Sequence, residues 1–550
     1  MHFKLSRIAV AVAFATAPFA HAQTLPDAGR ILQELQIPKQ ELPESVDIEV
    51  DVPKPAEAET DTGPKVLLQS VQFAGVTRFD EATLHALIAP AIGKEHSLRE
   101  LQTLSHRITV YYRQNGYPFA RAFLPAQKMI EGRLTIQVIE GRYGKVAASS
   151  ADARLAEQAQ SFLSRLRSGE VISSGPLERT VLILSDLPGV AVRPVVRPGE
   201  QVGTGDLDVR VTRTEPFAGA VSLDNYGNRY SGSYRLTAQG VWNSPFMLGD
   251  QLSAALMATD EELYFGSVGY ALPLGTSGLR GDIGIAQSAY DLGEEFAALG
   301  ATGTARVFSV GLSYPILRSN RANLVIAARY QYKDLVDEYE RLDVRNEKSS
   351  HSVPVALQFD VRDQLFGGGI TYGSLTWTVG ELSLGTPGLR AQDVNAKTEG
   401  GFGKWNLEVA RIQALPGGFS LYGRVFAQWA NGNLDSSERM ILGGANGVRA
   451  YPQGEGSGDE GVLGQVELRY QAGAFKPYAF WDAGRVRIND NPWVPGTNHR
   501  SLAGGGVGVR FQQGPWLVDA AAAWRHHGGR AQSDSRQNHP QIWAKVQYRF

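Results

Sequence analysis

The side chains that most often perform chemistry in proteins are absent or poorly spaced in this sequence. The chain has no cysteine, which excludes disulfides, thiolate metal sites and a cysteine nucleophile. His526 and His527 lie in a Gly-rich polar segment with His539 further along, and no carboxylate or third ligand has a recognisable metal-binding spacing to them. We therefore predict surface histidines, no metal site, no catalytic residues and no enzymatic activity.

The sequence also gives no support for nucleotide or nucleic-acid binding. Residues 456–461 match by letter the glycine spacing of dinucleotide-binding loops, but a strand follows them where that motif requires a helix. The formal net charge of −2 provides no argument for the basic surface that nucleic acid requires. We predict no cofactor and no nucleic-acid partner.

One arginine and one aspartate are distinguished by the motifs around them. Arg449 lies in a Gly-rich loop between two strands, in the run Gly443-Gly444-Ala445-Asn446-Gly447-Val448-Arg449-Ala450-Tyr451. Asp482 lies further along the chain, in the run Phe480-Trp481-Asp482-Ala483-Gly484. Taken alone, Arg449 would be a solvated loop arginine and Asp482 an ordinary strand residue, so any role depends on the elements that position them.

The segment that contains both motifs has the pattern of a transmembrane barrel. Beyond Phe217, segments of about ten residues alternate apolar and polar side chains and are separated by Gly, Asn, Asp and Ser clusters. In the last segment one face carries Ile542, Ala544, Val546, Tyr548 and Phe550. At roughly 20 residues per strand and turn, residues 214–550 suit about sixteen strands around an aqueous lumen. We expect surface loops over 334–350 and 525–540.

Two modules with the same order of elements precede the barrel segment. Residues 66–144 have the order strand, helix, helix, strand, strand, and apolar spacing predicts the helices over 79–92 and 98–115. Residues 145–213 repeat this βααββ order in a weaker form. Repetition of a small module before a main domain suggests a binding array.

The N-terminus has the features of an exported protein. Lys4 and Arg7 precede a short apolar run, which ends in small residues at the positions that a signal peptidase reads. We therefore predict that residues 1–22 form a signal peptide that is cleaved after Ala22.

A short helix and an acidic linker follow the signal peptide. Residues 23–40 place Ile31, Leu32 and Leu35 at helical spacing. Residues 41–65 are acidic and Pro-rich, so they bury little apolar surface and should be mobile. The helix is either a movable plug or a marginal helix in a disordered tail.

These features together resemble one protein family. Paired βααββ modules after a signal peptide are similar to the polypeptide-transport-associated domains of the outer-membrane transporter and insertase superfamily. The second module resembles that of the two-partner secretion branch in the runs Leu182-Ile183-Leu184-Ser185-Asp186-Leu187-Pro188-Gly189-Val190 and Asp206-Leu207-Asp208-Val209. The loop run Val448-Arg449-Ala450-Tyr451 resembles the Val-Arg-Gly-Tyr signature of the superfamily's inward-folded loop. The segment with Phe480, Asp482 and Gly484 resembles its barrel-wall motif, and the terminal Tyr548 and Phe550 resemble an outer-membrane barrel assembly signal.

The resemblance implies a fold, a location and a function. The fold would be mainly β, with a C-terminal transmembrane antiparallel β-barrel of about sixteen strands after two small α+β modules and an N-terminal helix. The barrel would lie in the outer membrane of a Gram-negative bacterium with the modules in the periplasm. The protein would pass a large unfolded exoprotein, which carries an N-terminal secretion domain, to the cell surface. Its other implied partners are outer-membrane lipid and, during biogenesis, the barrel-assembly machinery and periplasmic chaperones.

The resemblance also implies roles for particular residues. Arg449 would pair with Asp482, and a charge-assisted pair partly shielded from water would hold the loop by ~1.5–3 kcal/mol. Ala450 replaces the usual Gly, and a position that needs a positive φ would tolerate it poorly. The first module is the expected docking site, because a strand edge beside an amphipathic helix can pair with an extended chain. Candidate docking residues are Arg107, Tyr111 and Phe123.

Two other classes share part of this pattern. A barrel-assembly insertase belongs to the same superfamily but usually carries more modules and lacks the tethered helix and acidic linker. A passive porin would have no use for polypeptide-binding modules. Loss of function on deleting the modules would separate a transporter from a porin.

Overall fold

The computed structural model describes residues 26–35, 49–50 and 64–550. The predicted signal peptide, residues 1–22, and most of the predicted linker, residues 41–65, lie outside the described residues. Helix α1 (Ala28–Leu35) falls within the predicted N-terminal helix, residues 23–40. The short strand β1 (Glu49–Val50) lies within the predicted mobile linker, where the sequence does not predict a strand. In the part of the chain that the structure describes, no helix is both long and apolar enough to cross a membrane.

The first module packs two helices on a small sheet. Its elements are β2 (Val66–Leu67), β3 (Ser70–Ala74), α2 (Glu81–Ile88), β4 (Glu95–His96), α3 (Leu98–Gln114), β5 (Arg121–Phe123) and β6 (Arg133–Ile139). Strand β6 lies between β3, which is parallel to it, and β5, which is antiparallel. The helix predicted over 79–92 is shorter, because the chain passes into a 3-10 turn that contains Pro90.

A buried carboxylate, Glu140, holds the turn between β3 and α2. It accepts hydrogen bonds from the backbone amides of Thr77 at 2.6 Å and Arg78 at 2.9 Å, and from the Tyr112 hydroxyl at 3.1 Å. Burial raises the pKa of Glu140, but these hydrogen bonds outweigh burial and hold the pKa below its usual value. The charged form of Glu140 therefore stabilises the fold of this module.

The second module repeats the same architecture. Its elements are β7 (Arg142–Ser149), α4 (Ala153–Phe162), α5 (Ser174–Ser185), β8 (Val190–Pro198) and β9 (Thr204–Arg213). The sheet order is β1-β8-β9-β7, so the N-terminal strand β1 adds to the edge of this sheet, parallel to β8. Buried side chains of both helices pack on the sheet around Leu155, Leu163, Leu184, Leu207 and Val209.

Sixteen antiparallel strands close into a barrel, as the sequence predicts. The elements from this point are β10 (Phe217–Asp224), β11 (Arg235–Asn243), β12 (Gln251–Thr259), β13 (Tyr264–Pro273), β14 (Arg280–Asp291), β15 (Ala301–Arg318), β16 (Ala322–Tyr339), β17 (Val344–Asp363), β18 (Gly369–Leu384), α6 (Pro387–Ala396), β19 (Gly400–Ala414), β20 (Phe419–Ala430), β21 (Met440–Ile441), β22 (Ser457–Gly458), β23 (Glu460–Tyr470), β24 (Phe475–Arg487), β25 (His499–Gln513), β26 (Trp516–His527) and β27 (Gln541–Arg549). Strands β21 and β22 pair with each other inside a loop, and β10 pairs with β27 to close the barrel.

The last strand shows the alternation that a barrel in lipid requires. Ile542, Val546 and Phe550 are 57%, 40% and 68% exposed on the outer face, whereas Trp543 and Gln547 are buried on the inner face. Polar side chains can face the lumen because it is aqueous, but the outer face must be apolar. The predicted division of this strand into two faces is confirmed.

The prediction of a surface loop over 334–350 is wrong. Most of this range belongs to the paired strands β16 and β17, with Asp334 opposite Ser349 and Asp337 opposite Asn346. Polar residues such as Asp337 and Lys348 make this range resemble a loop in sequence. Both side chains are in fact buried inside the barrel. Strands β15 to β18 are longer than the ~9–11 residues that cross a bilayer, so they extend past the membrane.

Aromatic pairs mark the periplasmic rim of the barrel. Side chains on adjacent strands contact each other at the strand ends nearest the modules, in the pairs Phe217–Trp242, Phe419–Tyr470, Phe475–Phe511 and Trp516–Tyr548. Aromatic girdles of this kind lie at the membrane interface of outer-membrane barrels. They place one edge of the apolar band close to the second module.

The second module is fixed to the periplasmic turns of the barrel. Arg318, at the end of β15, donates two hydrogen bonds of 2.7 Å to the Asp186 carboxylate, and Ser244 Oγ donates to the Pro188 carbonyl at 2.6 Å. Both acceptors belong to the run 182–190 that carries the family resemblance. This run therefore joins the module to the barrel.

Candidate functional site in the barrel lumen

The loop between β20 and β23 folds back into the barrel. Strands β21 and β22 pair at its base. At its tip the Val448 amide donates to the Leu442 carbonyl at 2.7 Å, and the Tyr451 amide donates to the Val448 carbonyl at 3.0 Å, which makes a tight turn. Val448, Arg449, Ala450 and Tyr451 are all buried. The whole motif is therefore enclosed between the loop and the barrel wall.

The structure brings Arg449 together with Asp482 on the wall strand β24. The guanidinium donates from Nε to Asp482 Oδ2 at 2.8 Å and from Nη2 to Oδ1 at 2.7 Å, and the Arg449 backbone amide donates to Oδ2 at 3.1 Å. Asp482 is fully buried. A bidentate pair of this kind fixes the direction of the side chain as well as its position.

A second carboxylate, Glu467 on β23, shares the same arginine. Arg449 Nη1 lies 2.5 Å from Glu467 Oε1, and Arg469 and Arg510 pair with Glu467 Oε2 at 2.7 and 3.0 Å. No motif in the sequence marks Glu467. The alternating polar residues Gln465, Glu467 and Arg469, on the strand next to the wall motif, could have indicated its role. Charges that face the lumen together need partners of opposite sign.

Phe480 and Gly484 have separate roles in the wall motif. The Arg449 Cζ atom lies 3.6 Å from the centre of the Phe480 ring, which is a cation–π contact. A Cβ atom at Gly484 would lie 2.7 Å from Leu442 Cδ2, so a side chain there would push the base of the loop away from the wall. Phe480 therefore covers the guanidinium, and Gly484 leaves room for Leu442.

Ala450 causes no backbone strain at the loop tip. The described non-glycine residues with a positive φ do not include Ala450, so the concern about replacing Gly at this position does not apply here. Its buried side chain lies against Gly504 of β25, where a Cβ would stand only 2.3 Å from the Ala450 Cβ. The methyl group at 450 is therefore accommodated by the absence of one at 504.

The loop tip also contacts the last strands of the barrel. Trp543 Nε1 on β27 donates to the Arg449 carbonyl at 2.7 Å. The Tyr451 hydroxyl lies 2.9 Å from the His527 carbonyl at the end of β26. The loop therefore connects the wall at β24 with the strands beside the barrel seam.

Helix α1 lies inside the barrel against this loop. The Arg30 guanidinium donates to the Gly454 carbonyl at 2.5 Å, and the Gln33 side chain donates to the Ser437 carbonyl. The loop segment under the helix is itself fixed to the wall, because Lys404 pairs with Glu438 at 2.7 Å and Lys333 pairs with the same carboxylate. Helix and loop therefore fill the lumen as one unit.

The N-terminal end and the apolar face of α1 are also held. Lys348 Nζ lies 3.2 Å from Asp27 and 2.9 Å from Asp435, and the Ala28 amide donates to Asp337 at 2.8 Å. The apolar face of the helix packs on the inner wall through Ala28, Ile31, Leu32, Tyr230, Met257, Leu263, Tyr290, Ala305 and Leu335. The predicted N-terminal helix thus occupies the lumen, with polar contacts at Asp27 and Ala28 and an apolar face on the inner wall.

The structure separates the candidate docking residues of the first module into two surfaces. Arg107 is exposed on α3, and Tyr111, one turn later, packs edge-on against Phe79 with ring centres 5.0 Å apart. Thr109 lies on the opposite face of α3, and its hydroxyl accepts a 2.9 Å hydrogen bond from the Ala122 amide of β5. Phe123, half-buried on β5, is therefore on the Thr109 side and not beside Arg107 and Tyr111.

The two residues of the predicted assembly signal lie at the barrel seam. The Phe550 amide donates to the Gly219 carbonyl at 3.0 Å, and the Gly219 amide donates back at 2.9 Å. Tyr548 pairs with Val221 across the seam, and its ring packs on Trp516 at 4.9 Å. Both side chains belong to the outer, lipid-facing side of β27.

The fold and the site define a class of protein. Three features are those of an outer-membrane protein transporter. They are the closed sixteen-stranded barrel, the two polypeptide-transport-type modules at its periplasmic end, and the inward loop whose arginine is paired with the wall. The barrel therefore lies in the outer membrane and the modules lie in the periplasm.

Comparison with known proteins identifies the family. The chain belongs to the family described as haemolysin secretion/activation protein ShlB/FhaC/HecB, whose model matches residues 203–511. Residues 66–141 match the POTRA domain, ShlB-type. Proteins of this family are transporters of two-partner secretion, in which a dedicated outer-membrane protein exports an exoprotein.

Individual relatives agree with this assignment. The chain is 28% identical over 479 residues to the heme/hemopexin transporter protein HuxB of Haemophilus influenzae, which covers 85% of this chain and 84% of HuxB. It is 25% identical over 418 residues to the outer membrane transporter CdiB of Dickeya dadantii, covering 74% of this chain and 73% of that protein. The solved structure of CdiB from Escherichia coli has the same fold, with a TM-score of 0.71 at 21% identity over 90% of this chain and 93% of that one.

Proposed function

We propose that this protein recognises one large unfolded exoprotein in the periplasm and passes it through the barrel to the cell surface. The observation that carries the proposal is the buried Arg449–Asp482 pair, which holds an inward loop inside a barrel that has polypeptide-binding modules at its entrance. A passive porin needs neither feature. The exoprotein carries an N-terminal secretion domain, and the proposed step involves no enzymatic reaction and no nucleotide.

The filled lumen supports a resting state that is closed to diffusion. Helix α1 acts as a movable plug: its contacts with the loop are individual hydrogen bonds, such as that from Arg30 to the Gly454 carbonyl, and no barrel strand pairs with it. The Arg449 loop acts as a latch that stays paired with Asp482 until the exported chain enters. Folding of the exported chain outside the cell supplies the direction of transport.

The first module is the docking site for the exoprotein. Addition of an extended chain at β5 would use the edge of this strand opposite β6, and it would replace the hydrogen bonds that the Thr109 hydroxyl makes to the Ala122 amide and carbonyl. Arg107 and Tyr111 form a separate helix surface. The affinity of the secretion domain for the Phe123→Ala protein and for the Arg107→Ala/Tyr111→Ala protein distinguishes the two surfaces. Unchanged affinity in both proteins would rule out both surfaces as the docking site.

Biogenesis of the protein follows the route of other outer-membrane barrels. The signal peptide is cleaved after Ala22, periplasmic chaperones keep the chain unfolded, and the barrel-assembly machinery recognises the last strand with Tyr548 and Phe550. Mass determination of the mature N-terminus tests the cleavage position. A mature chain that began elsewhere would refute it.

Secretion by an Arg449→Ala strain tests the proposed function. We expect export of the exoprotein to fall at least about tenfold, since a bidentate charged pair contributes roughly 1.5–3 kcal/mol. The control is Arg411→Ala, which removes another barrel arginine whose bonds go to Asp363, Thr371 and Gln413. Equal amounts of both proteins in the outer membrane exclude an assembly defect, and normal secretion by Arg449→Ala would refute the role of the latch.

A further inference from the structure

The inner wall of the barrel is basic near its periplasmic end. Strand register places a set of cations on the inner faces of β23 to β27, between the middle of each strand and the end nearest the modules. We call this set the basic patch, and it consists of Arg469, Lys476, Arg510, Lys545 and Arg549. The same stretch of wall carries the acidic residues Glu467 and Asp519. The patch is therefore positive, although the whole chain has a formal net charge of −2.

Two of these cations are held along the wall. The guanidinium carbon of Arg469 lies 4.1 Å from the centre of the Tyr422 ring, and that of Arg510 lies 4.2 Å from the centre of the Tyr478 ring. Both arginines also pair with the same wall carboxylate. They line a cavity of about 200 Å³ that the latch residue Arg449 also lines. Positive charge therefore faces the space between the latch and the periplasm.

The other three cations of the patch are free to interact with an incoming group. Among the described residues, the side chains of Lys476, Lys545 and Arg549 form no ion pair and no hydrogen bond, although Lys545 lies opposite acidic residues on both neighbouring strands. Lys476 lies directly opposite Arg510 in the strand register. Like charges opposite each other destabilise a sheet, so stability does not account for this arrangement.

Nearer the cell surface, the wall cations are neutralised by carboxylates of the elements that fill the lumen. Lys348 pairs with Asp27 of α1 and with Asp435 of the inward loop at 3.2 and 2.9 Å, and Arg500 pairs with the loop residue Glu455 at 2.6 Å. The latch arginine is the exception to this pattern. In the described part of the chain, no carboxylate of α1 or of the loop pairs with the basic patch. The patch therefore offers the same complementarity to an acidic chain that enters from the periplasm.

We propose that the basic patch receives acidic segments of the exported polypeptide, so that the substrate class of this transporter is an extended chain with clusters of Asp and Glu. This rests on the proposed function, because the patch lies between the modules and the latch. A charged wall raises the local concentration of a chain of opposite charge. Unpaired single side chains hold each carboxylate weakly, and a passing chain has to leave each site as readily as it enters.

Current through the full mature protein in planar bilayers tests the charge of this entrance. During the open steps in a tenfold KCl gradient, the zero-current potential should have the sign of a chloride preference. A 20-residue peptide with five Asp residues in a Gly-Ser background, added on the periplasmic side, should interrupt the current at least fivefold more often than the same peptide with Lys in place of Asp. A cation preference, or equal interruption by the two peptides, would overturn the proposal.

A triple variant tests the unpaired cations. Lys476→Gln/Lys545→Gln/Arg549→Gln removes three charges and breaks no ion pair, so the barrel should assemble normally. It should reduce the preference for the Asp peptide to less than twofold and lower export of the exoprotein by cells at least fivefold. The charge-preserving variant Lys476→Arg/Lys545→Arg/Arg549→Lys should retain both properties. An unchanged peptide preference or unchanged export in the triple Gln variant would overturn the proposal.

The matched control removes the same amount of charge outside the lumen. Arg306→Gln/Lys397→Gln/Arg485→Gln replaces three exposed cations of β15, the end of α6 and β24, and it should change neither the peptide preference nor export. An equal loss in this control would show that net charge, and not the basic patch, is responsible, and would overturn the proposal. If the wild-type protein exported nothing, the proposed function would fail, while the peptide measurement would still decide the charge of the entrance.

Discussion

At the tip of the inward loop, three kinds of interaction act on the side chain of Arg449. The two bonds to Asp482 set its direction, Glu467 adds a second charge, and the Phe480 ring covers one face of the guanidinium. Because the pair is buried, loss of one partner leaves a charge without a counter-ion, which costs far more than loss of an exposed pair. The position of the loop should therefore be sensitive to conservative changes in its acidic partners.

Replacing Asp482 with Asn keeps the shape of this side chain and removes its charge. The loop should be displaced at least about tenfold more often, since charge-assisted hydrogen bonds contribute about 1.5–3 kcal/mol. Amide hydrogen exchange of residues 443–451 measures this displacement. The control, Glu460→Gln, removes a partner of the exposed Arg487 and should leave exchange unchanged. Exchange no faster in Asp482→Asn than in the wild type would show that the pair does not hold the loop.

Glu140 makes the stability of the first module depend on pH. Its pKa is lowered in the folded module, so its stabilising effect is complete above the ordinary Glu pKa of about 4.3 and is lost as the pH falls below that value through the folded pKa. Glu140→Gln should lower the free energy of unfolding of this module by about 1–3 kcal/mol at pH 7.

Protection factors from hydrogen exchange in the first module, in the full chain, measure this effect. The difference between wild type and Glu140→Gln should be large at pH 7 and should shrink below about pH 4. The matched control is Glu157→Gln on the exposed side of α4, which should change neither value. A difference that stayed constant from pH 7 to pH 3 would contradict the assigned role of the Glu140 charge.

Among the elements, helix α1 has the largest expected effect on the pore. It packs between the inner wall and the inward loop, and polar bonds from its first turn run to Asp337 of the wall and to the Gly454 carbonyl of the loop. An element held in this way can leave without unfolding the barrel, because the wall strands are paired with each other and not with the helix.

Deleting residues 23–35 should open the lumen. We expect frequent large conductance steps in planar bilayers from the shortened protein, and rare steps from the full mature chain. Deletion of residues 388–395, which removes most of the exposed loop helix α6, is the control and should leave conductance rare. Identical, steadily open channels from the full chain and from the chain lacking 23–35 would instead favour a porin.

The elements of the modules could be predicted because each has one face in a core and one in water. The apolar spacing of α2 to α5 and the alternation in β6 and β9 are direct consequences of that environment. Strands β16 and β17 could not be bounded in the same way. Their inner residues, such as Asp337 and Lys348, are polar because they contact helix α1, so the sequence there resembles a loop.

The missing parts of the candidate site have a similar cause. The Arg449 and Asp482 motifs were visible because their residue patterns are distinctive, whereas Glu467 and Trp543 are single residues whose roles arise from strand register. Strand β1 could not be predicted from its acidic, Pro-rich sequence, because its pairing depends on an edge that another part of the chain provides.

At the scale of the whole molecule, the modules, the helix and the loop lie along one route. The second module is bonded to the periplasmic turns, the barrel encloses the route through the membrane, and α1 with the inward loop closes it. A chain that entered from the modules would have to pass the polar inner wall, including Asn406 of β19. It would not meet the adjacent residue Trp405, which is 45% exposed on the outer face.

Site-specific photo-cross-linking tests this route most directly. A photoreactive amino acid is placed at Asn406 or at Trp405, and export of the exoprotein is stalled by a stably folded domain fused to its C-terminus. We predict that the stalled exoprotein cross-links to position 406 and not to position 405, and that no cross-link forms when the secretion domain is deleted. Continued export with no cross-link from position 406, or with equal cross-links from both positions, would contradict transport through the barrel lumen.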